Sequence, residues 1–557
     1  MRRIINFGLL VVALPVAALS ACNPEEGRDG GSDGPTSSGD PTVLPDGSAA
    51  TLLPARIRRL TNFEYADSIK QLLPYATAVD FTDRIAVDAR QKDFTRNEDQ
   101  RVDPVIAGQY QELAEEIAAE AVGDHLTELV PCAAQEETRE CASEFIDVFA
   151  PRAYRRLITD EDRTALLTVY DAGIEGGAFK DGIELVLQAI FQSASFLYHT
   201  EIGDGTGDDG LVRLTNYEIA AEMAYLLAGQ PPDDELIRAA GAGELTDPEK
   251  RSEQAYRILA DGNGRGLYQM RRLVMEWLGI DGVTNLAKNA EKFPDWSEQR
   301  FAFLEETNSF INDVMQNGAK VSELLAADYT YIPNNADYAA LLGEFYGVPT
   351  PPAGRFTVPD GTRKGILTQP SFLARRAHEN DSAPVLRGVA VLRRVMCVPV
   401  GDPGALNLMV VPPAPDPALT TRERFAIHAE DPACSSCHDA IDGVGFTYES
   451  FDAIGQYRTM ENDRPIDTSG SVGGGTDMDG DYASSVELAG ALATSDRVKE
   501  CFAKNFYRFA SAQHDEDAED TFVQAVWDGL DVSGKDNVAD ILIRYVKSDL
   551  FVVRRPE

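Results

Sequence analysis

Between Val102 and Val122, apolar and small residues return every three or four positions with Glu and Gln between them, the stripe of an amphipathic helix. The same period recurs from Asp181 to Phe196, Asn216 to Leu227, Arg300 to Met315, Val498 to Phe509 and Val538 to Tyr545. Continuous β-branched runs bounded by turn residues are few and short, as at Val410–Val411 and Phe356–Val358. The pattern predicts a mainly α, multi-domain helical protein. Arg59-Leu60-Thr61-Asn62-Phe63-Glu64 is echoed by Arg213-Leu214-Thr215-Asn216-Tyr217-Glu218. Each copy contains Thr-x-x-Glu, whose hydroxyl and carboxylate can satisfy the unpaired amides of a starting helix. The likeness fades beyond the cap, so two similar helix starts are expected rather than a true duplication. Gly203 to Gly210 and the proline-rich passage from Pro399 to Pro417 interrupt the helical pattern.

Length and composition set the number of units. The chain has 557 residues, 43% hydrophobic and 25% charged, enough for several packed domains. The expected division is helical domains at 51–130, 131–203 and 204–350, a small segment at 360–460 that holds a Cys/His cluster, and a helical domain at 461–557. Fifty-one Lys and Arg face 91 Asp and Glu, a formal net charge of −40, which repels polyphosphates and excludes general nucleic-acid binding. Residues 1–21 read as an export signal: Arg2 and Arg3 precede an apolar stretch that is short and interrupted by Pro15. Leu19-Ser20-Ala21-Cys22 resembles a bacterial lipobox, which implies lipidation of Cys22, a membrane anchor and, with Asn23 following, an outer-membrane lipoprotein facing the periplasm or the cell surface. Residues 22–50, rich in Gly, Ser, Asp and Pro, read as a disordered tether.

Cysteine placement carries the candidate chemistry. In an oxidising compartment Cys132 and Cys141 can close a short loop as a disulfide. Cys397 and Cys501 are then a second pair by elimination, or two buried free thiols. The remaining cluster, Cys434-Ser435-Ser436-Cys437-His438, has the C-x-x-C-H arrangement of covalent haem attachment. Two thiols three positions apart reach the two vinyl groups on a porphyrin edge, and the adjacent imidazole becomes the iron ligand. Haem c is therefore the expected cofactor. Structural zinc on Cys434, Cys437, His438 and His428 is the alternative, although a second well-spaced ligand pair is missing. A thioredoxin-like pair would need a βαβ setting that the flanks do not offer. No nucleophile elbow, phosphate loop or zinc-protease helix points to an enzyme class. Asp477, Asp479 and Asp481 alternate as in a calcium loop, but Leu488 stands where the bidentate glutamate belongs, so a solvated turn is expected. Asp442, Glu449 and Asp452 read as helix caps, or as hydrogen-bond partners of the loop on the haem's propionate side or of Arg458.

The segment TRERFAIHAEDPACSSCHDAIDGVGFTYESFDAIGQYR from Thr421 resembles the haem-motif domain of exported bacterial proteins catalogued as a series of domains of unknown function. The likeness extends to RRLTNFEY near 58, FAPRAYRRLITDEDR near 149, DGIELVLQAIFQSASFLY near 181, RLTNYEIAAEMAYLLAGQPPDDEL near 213, GILTQPSFLA near 365, PVLRGVAVLRRVMC near 384 and CFAKNFYRFA near 501. The resemblance implies a periplasmic or surface haem protein that is cytochrome-like only around the motif, working with a redox partner protein. Gly443, where the family usually has proline, is expected to loosen a turn. For the far side of the iron the candidates are His428, whose counterpart belongs to the family motif, and Met478, with Met460 and His378 behind them. Three functions stay open: electron transfer, a scaffold lipoprotein with a zinc or redox-idle site, and a peroxidase-like haem enzyme with an open iron position.

Overall fold

A computed structural model describes residues 51–556 apart from 76–78, 80, 82–83, 262–263, 402–412, 415 and 429–431, and side chains other than those of 427, 428, 432–434, 436 and 437. The signal segment, Cys22, the tether and Val410–Val411 lie outside the described residues. The architecture is mainly helical, and the sheet among the described residues is five two-stranded antiparallel pairs. The periodic segments become the helices Pro104–Asp124, Phe179–Gln192, Asn216–Ala228, Trp296–Gln316, Asp496–Ser511 and Val538–Lys547. Of the run Phe356–Val358 only Phe356 is in a strand, Gly354–Phe356, paired with Thr330–Ile332. No helix among the described residues is long and apolar enough to cross a membrane.

Both copies of the echo are built as their chemistry dictates. Thr61 Oγ1 accepts from the Glu64 amide at 3.1 Å while the Thr61 amide donates to Glu64 Oε2 at 2.9 Å. Thr215 and Glu218 repeat the exchange at 3.2 and 2.9 Å. A short strand precedes each cap, Arg56–Arg59 in the first case and Val212–Arg213 in the second. Beyond the cap the two carboxylates diverge: Glu64 faces Arg58 and Arg96, whereas Glu218 accepts from the amides of Ile202 and Gly203.

Apolar packing falls into three clusters. One gathers the helices between Asn62 and Gln192 around Tyr65, Ile117, Ile146 and Phe191. A small one surrounds Trp296, Phe303 and Phe345. The largest joins Leu226 and Trp277 to Val391, Ile441, Val444, Phe502 and Tyr545, so the segment after Thr421 packs on the same core as the helices before and after it. Two disulfides tie this frame: Cys132–Cys141 holds the turn Pro131–Ala134 to the helix Arg139–Tyr154, and Cys397–Cys501 anchors the chain after Val395 to the helix Asp496–Ser511.

One buried carboxyl gives the fold a pH dependence. Glu306, wholly buried on the helix Trp296–Gln316, accepts from Tyr346 Oη at 2.6 Å and Thr330 Oγ1 at 2.5 Å. Burial pushes its pKa from 4.5 up to about 7, against the two hydrogen bonds and Arg363. The unfolded chain releases this proton near 4.5 and the folded chain only near 7, so the contribution is whole below 4.5 and is lost as pH rises through that window, by about 3 kcal/mol. Denaturant titrations of Glu306→Gln should match the parent at pH 4.5 and exceed its stability at pH 8. An equal difference at both pH values would refute this.

Candidate functional site

The Cys/His motif lies on the helix Pro432–Gly445, which begins with proline at a first-turn position where no amide donor is needed. Positions 434, 437 and 438 are spaced i, i+3 and i+4, so they share one helix face. The thiols of Cys434 and Cys437 lie outside the described residues; the imidazole of His438 is described.

Close packing through glycine sets this helix in place. A Cβ on Gly445 would stand 2.2 Å from the Pro384 carbonyl oxygen, and one on Gly388 equally near that of Ile441, so the helix Pro384–Ala390 crosses at backbone contact. On the other side, Gly443 meets the strand Gly470–Val472, where its Cβ would come within 2.5 Å of the Ser471 carbonyl. The looser turn expected at Gly443 is therefore absent: the residue is inside the helix, and its missing side chain admits the hairpin that Gly470–Val472 forms with Gly480–Tyr482. Proline there would bring a ring into the hairpin backbone.

A groove of about 680 Å³ opens in front of His438, lined among others by Arg422, Asp442, Phe446, Ser471 and Asp481. Arg422 lies over the Phe446 ring at 4.6 Å and donates to the Ser469 carbonyl at 2.5 Å. The His438 Nδ1 stands 3.2 Å from both carboxylate oxygens of Asp442, one turn further along the helix. That hydrogen bond raises the imidazole pKa above its usual value, more than burial lowers it. Asp442 thus neither caps a helix nor meets Arg458. Glu449, behind the groove, does approach Arg458: it is buried, accepts from Ser382 Oγ at 3.0 Å, and lies 3.6 Å from Arg458 Nη2 and 3.9 Å from Arg387 Nη1. Asp452 accepts from the amides of Ile454 and Gln456 in a turn.

The residues expected as second ligands separate in space. Met478 is 3% exposed within the main core and is not among the described groove residues. Met460 and His378 are exposed and also outside the groove lining. His428 closes the helix Thr421–His428; its side chain lies outside the described residues. Asp477 and Asp479 are committed to local donors: Asp477 accepts from Ser495 Oγ and the Asp496 amide, Asp479 from the Gly475 and Thr476 amides. Asp481 lines the groove.

The sequence did not single out one further cluster, the buried His199, Glu201 and Glu222, whose ligand atoms lie within 4.8 Å of one another. Its surroundings decide its role. Arg56 Nη2 and Arg554 Nη2 hold Glu201 at 3.1 and 2.6 Å, Arg96 lies 3.5 Å from Glu222, and His199 Nε2 is 3.0 Å from the same carboxylate. Arg58 and Arg96 pair with Glu64 at 2.9 and 3.1 Å. Four guanidiniums already balance these carboxylates, leaving no negative charge for a cation to neutralise. The cluster is an ionic joint rather than a metal site.

Fold and site together define a mainly helical, disulfide-tied multidomain protein with a Cys-x-x-Cys-His helix beside an open groove. Family models of proteins of unknown function match four stretches in order: PSD3 (DUF1587) over residues 58–123, PSD5 (DUF1595) over 141–201, PSD4 (DUF1592) over 214–348 and PSCyt3 (DUF1588) over 363–461. The chain belongs to this multidomain family built from domains of unknown function. No curated protein and no solved structure matches it.

Proposed function

We propose that the chain is an exported, lipid-anchored protein that carries one covalently attached c-type haem and transfers electrons to a partner protein. The observation that carries the reading is His438, held through Nδ1 by Asp442 and set at the edge of an open groove one turn beyond Cys434. A carboxylate acceptor at Nδ1 favours the tautomer that carries its proton there and presents Nε2, the atom a metal takes. This donor set fits a haem: Cys434 and Cys437 would hold the porphyrin through thioethers and His438 would ligate iron, supplying one-electron chemistry. The name PSCyt3 of the family model over 363–461 agrees with a cytochrome-like segment. The two disulfides agree with the oxidising compartment that haem attachment and the lipobox at Cys22 call for.

The burial of Met478 favours a second reading, in which the iron keeps an open position and supports peroxidase-like chemistry. Structural zinc on the same residues is the third. The test is expression with a haem-maturation system, followed by intact mass and the pyridine haemochrome spectrum. Expected is one haem per chain, surviving denaturation; a mass accounted for by amino acids and lipid alone overturns the proposal and leaves the zinc reading. Carbon monoxide binding to the reduced protein would favour the open-face reading over electron transfer.

A further inference from the structure

The partner of His438 goes beyond this assignment. Asp442 is 7% exposed, and its carboxylate oxygens are both 3.2 Å from Nδ1; among the described residues His438 is its one hydrogen-bond partner. The two residues are i and i+4 on a single helix whose crossing at Gly445 and whose contact at Gly443 are fixed by backbone packing. The carboxylate therefore has little freedom to leave the ring. An anionic acceptor fixes the tautomer and orientation of a ligating histidine and makes it a stronger donor than a neutral carbonyl acceptor would. A stronger donor favours ferric over ferrous iron, which lowers the reduction potential.

Resting on the haem reading above, we infer that Asp442 is the positioning residue of His438: it directs Nε2 to the iron and holds the centre at a potential lower than the imidazole alone would set. The inference fixes which side of an electron exchange the chain favours, since a low-potential centre gives its electron readily and takes one only from a stronger reductant.

The experiment is a spectroelectrochemical titration of the haem-loaded full chain as parent, Asp442→Asn and Asp442→Ala, with haem content measured for each. Asn keeps the size and one acceptor oxygen but removes the charge. Both variants should carry one haem per chain and show a midpoint shifted to more positive potential, and Asp442→Glu, which keeps the charge, should lie between Asn and the parent. Should Asp442→Ala fail to fold, Asp442→Asn decides. An Asn variant with full haem and the parent's midpoint overturns the positioning role and leaves the haem assignment standing. A parent chain without haem removes both.

Discussion

Glu201→Ala should cost roughly 3–5 kcal/mol of stability, the range found when one member of a buried ion pair is removed and the other is left unpaired. The residue is fully buried, and two guanidiniums converge on it: Arg56 from the strand Arg56–Arg59 and Arg554 from the strand Val553–Arg554. Pairing of the strands Arg56–Arg59 and Tyr198–Glu201 puts Arg56 opposite Glu201 and Arg58 opposite His199, so alternate residues of the ribbon present the ionic groups on one face. Burial alone would raise the Glu201 pKa; Arg56 and Arg554 outweigh it and hold the carboxyl below the usual range. Removing the carboxylate leaves Arg554, 1% exposed, without an ionic partner among the described residues and Arg56, 7% exposed, with Glu98 alone. Against a typical domain stability of about 5–15 kcal/mol, such a loss should be visible as a large drop in the urea midpoint. Glu201→Gln should lose a comparable amount, because the amide keeps the shape and not the charge. Adding Arg554→Met to Glu201→Ala should restore part of the loss, since one stranded charge is then gone. A single variant with the parent's midpoint would show that the ionic joint does not hold the fold.

The helices were legible because a 3.6-residue period survives in a single sequence whatever the tertiary context. The two Thr-x-x-Glu caps were legible because a capping box is complete within four residues. Both disulfides followed from cysteine arithmetic. The ionic joint was not legible: Glu201 and Arg554 stand 353 positions apart, and no local pattern marks a charged residue as buried. Asp442 was visible as an acidic residue four positions after His438, yet that spacing serves a cap, a surface pair or a ligand's partner equally well until the helix is known to run through both. Met478 was singled out on order along the chain alone; its burial is set by the hairpin before the helix Ser485–Thr494, which turns it into the core. Gly443 shows the same limit, because the demand for a missing side chain comes from a strand more than two dozen residues later.

Replacing Cys434 and Cys437 together with serine should abolish covalent haem completely, because serine offers no thiol to form the thioether bonds. The fold should survive this change. The helix Pro432–Gly445 is held by Ile441 and Val444 in the main core and by backbone contact at Gly443 and Gly445, all after the motif. The variant should therefore keep the parent's far-ultraviolet circular dichroism while its intact mass drops by one haem and its haemochrome band disappears. Met478→Leu is the companion measurement. With its side chain 3% exposed in the core and outside the groove, Met478 should be replaceable without changing the spectrum of the reduced haem, whereas a methionine bound to iron would be lost from that spectrum at once. Covalent haem persisting in the double serine variant would refute attachment at the motif. An altered reduced spectrum in Met478→Leu would place the sixth ligand in the core and reject the open groove as the haem's far side. Where Met478→Leu leaves the spectrum unchanged, His428→Ala separates the remaining pair of functions: a new carbon monoxide complex identifies His428 as the displaced ligand and supports electron transfer, while one already present in the parent supports chemistry at the iron.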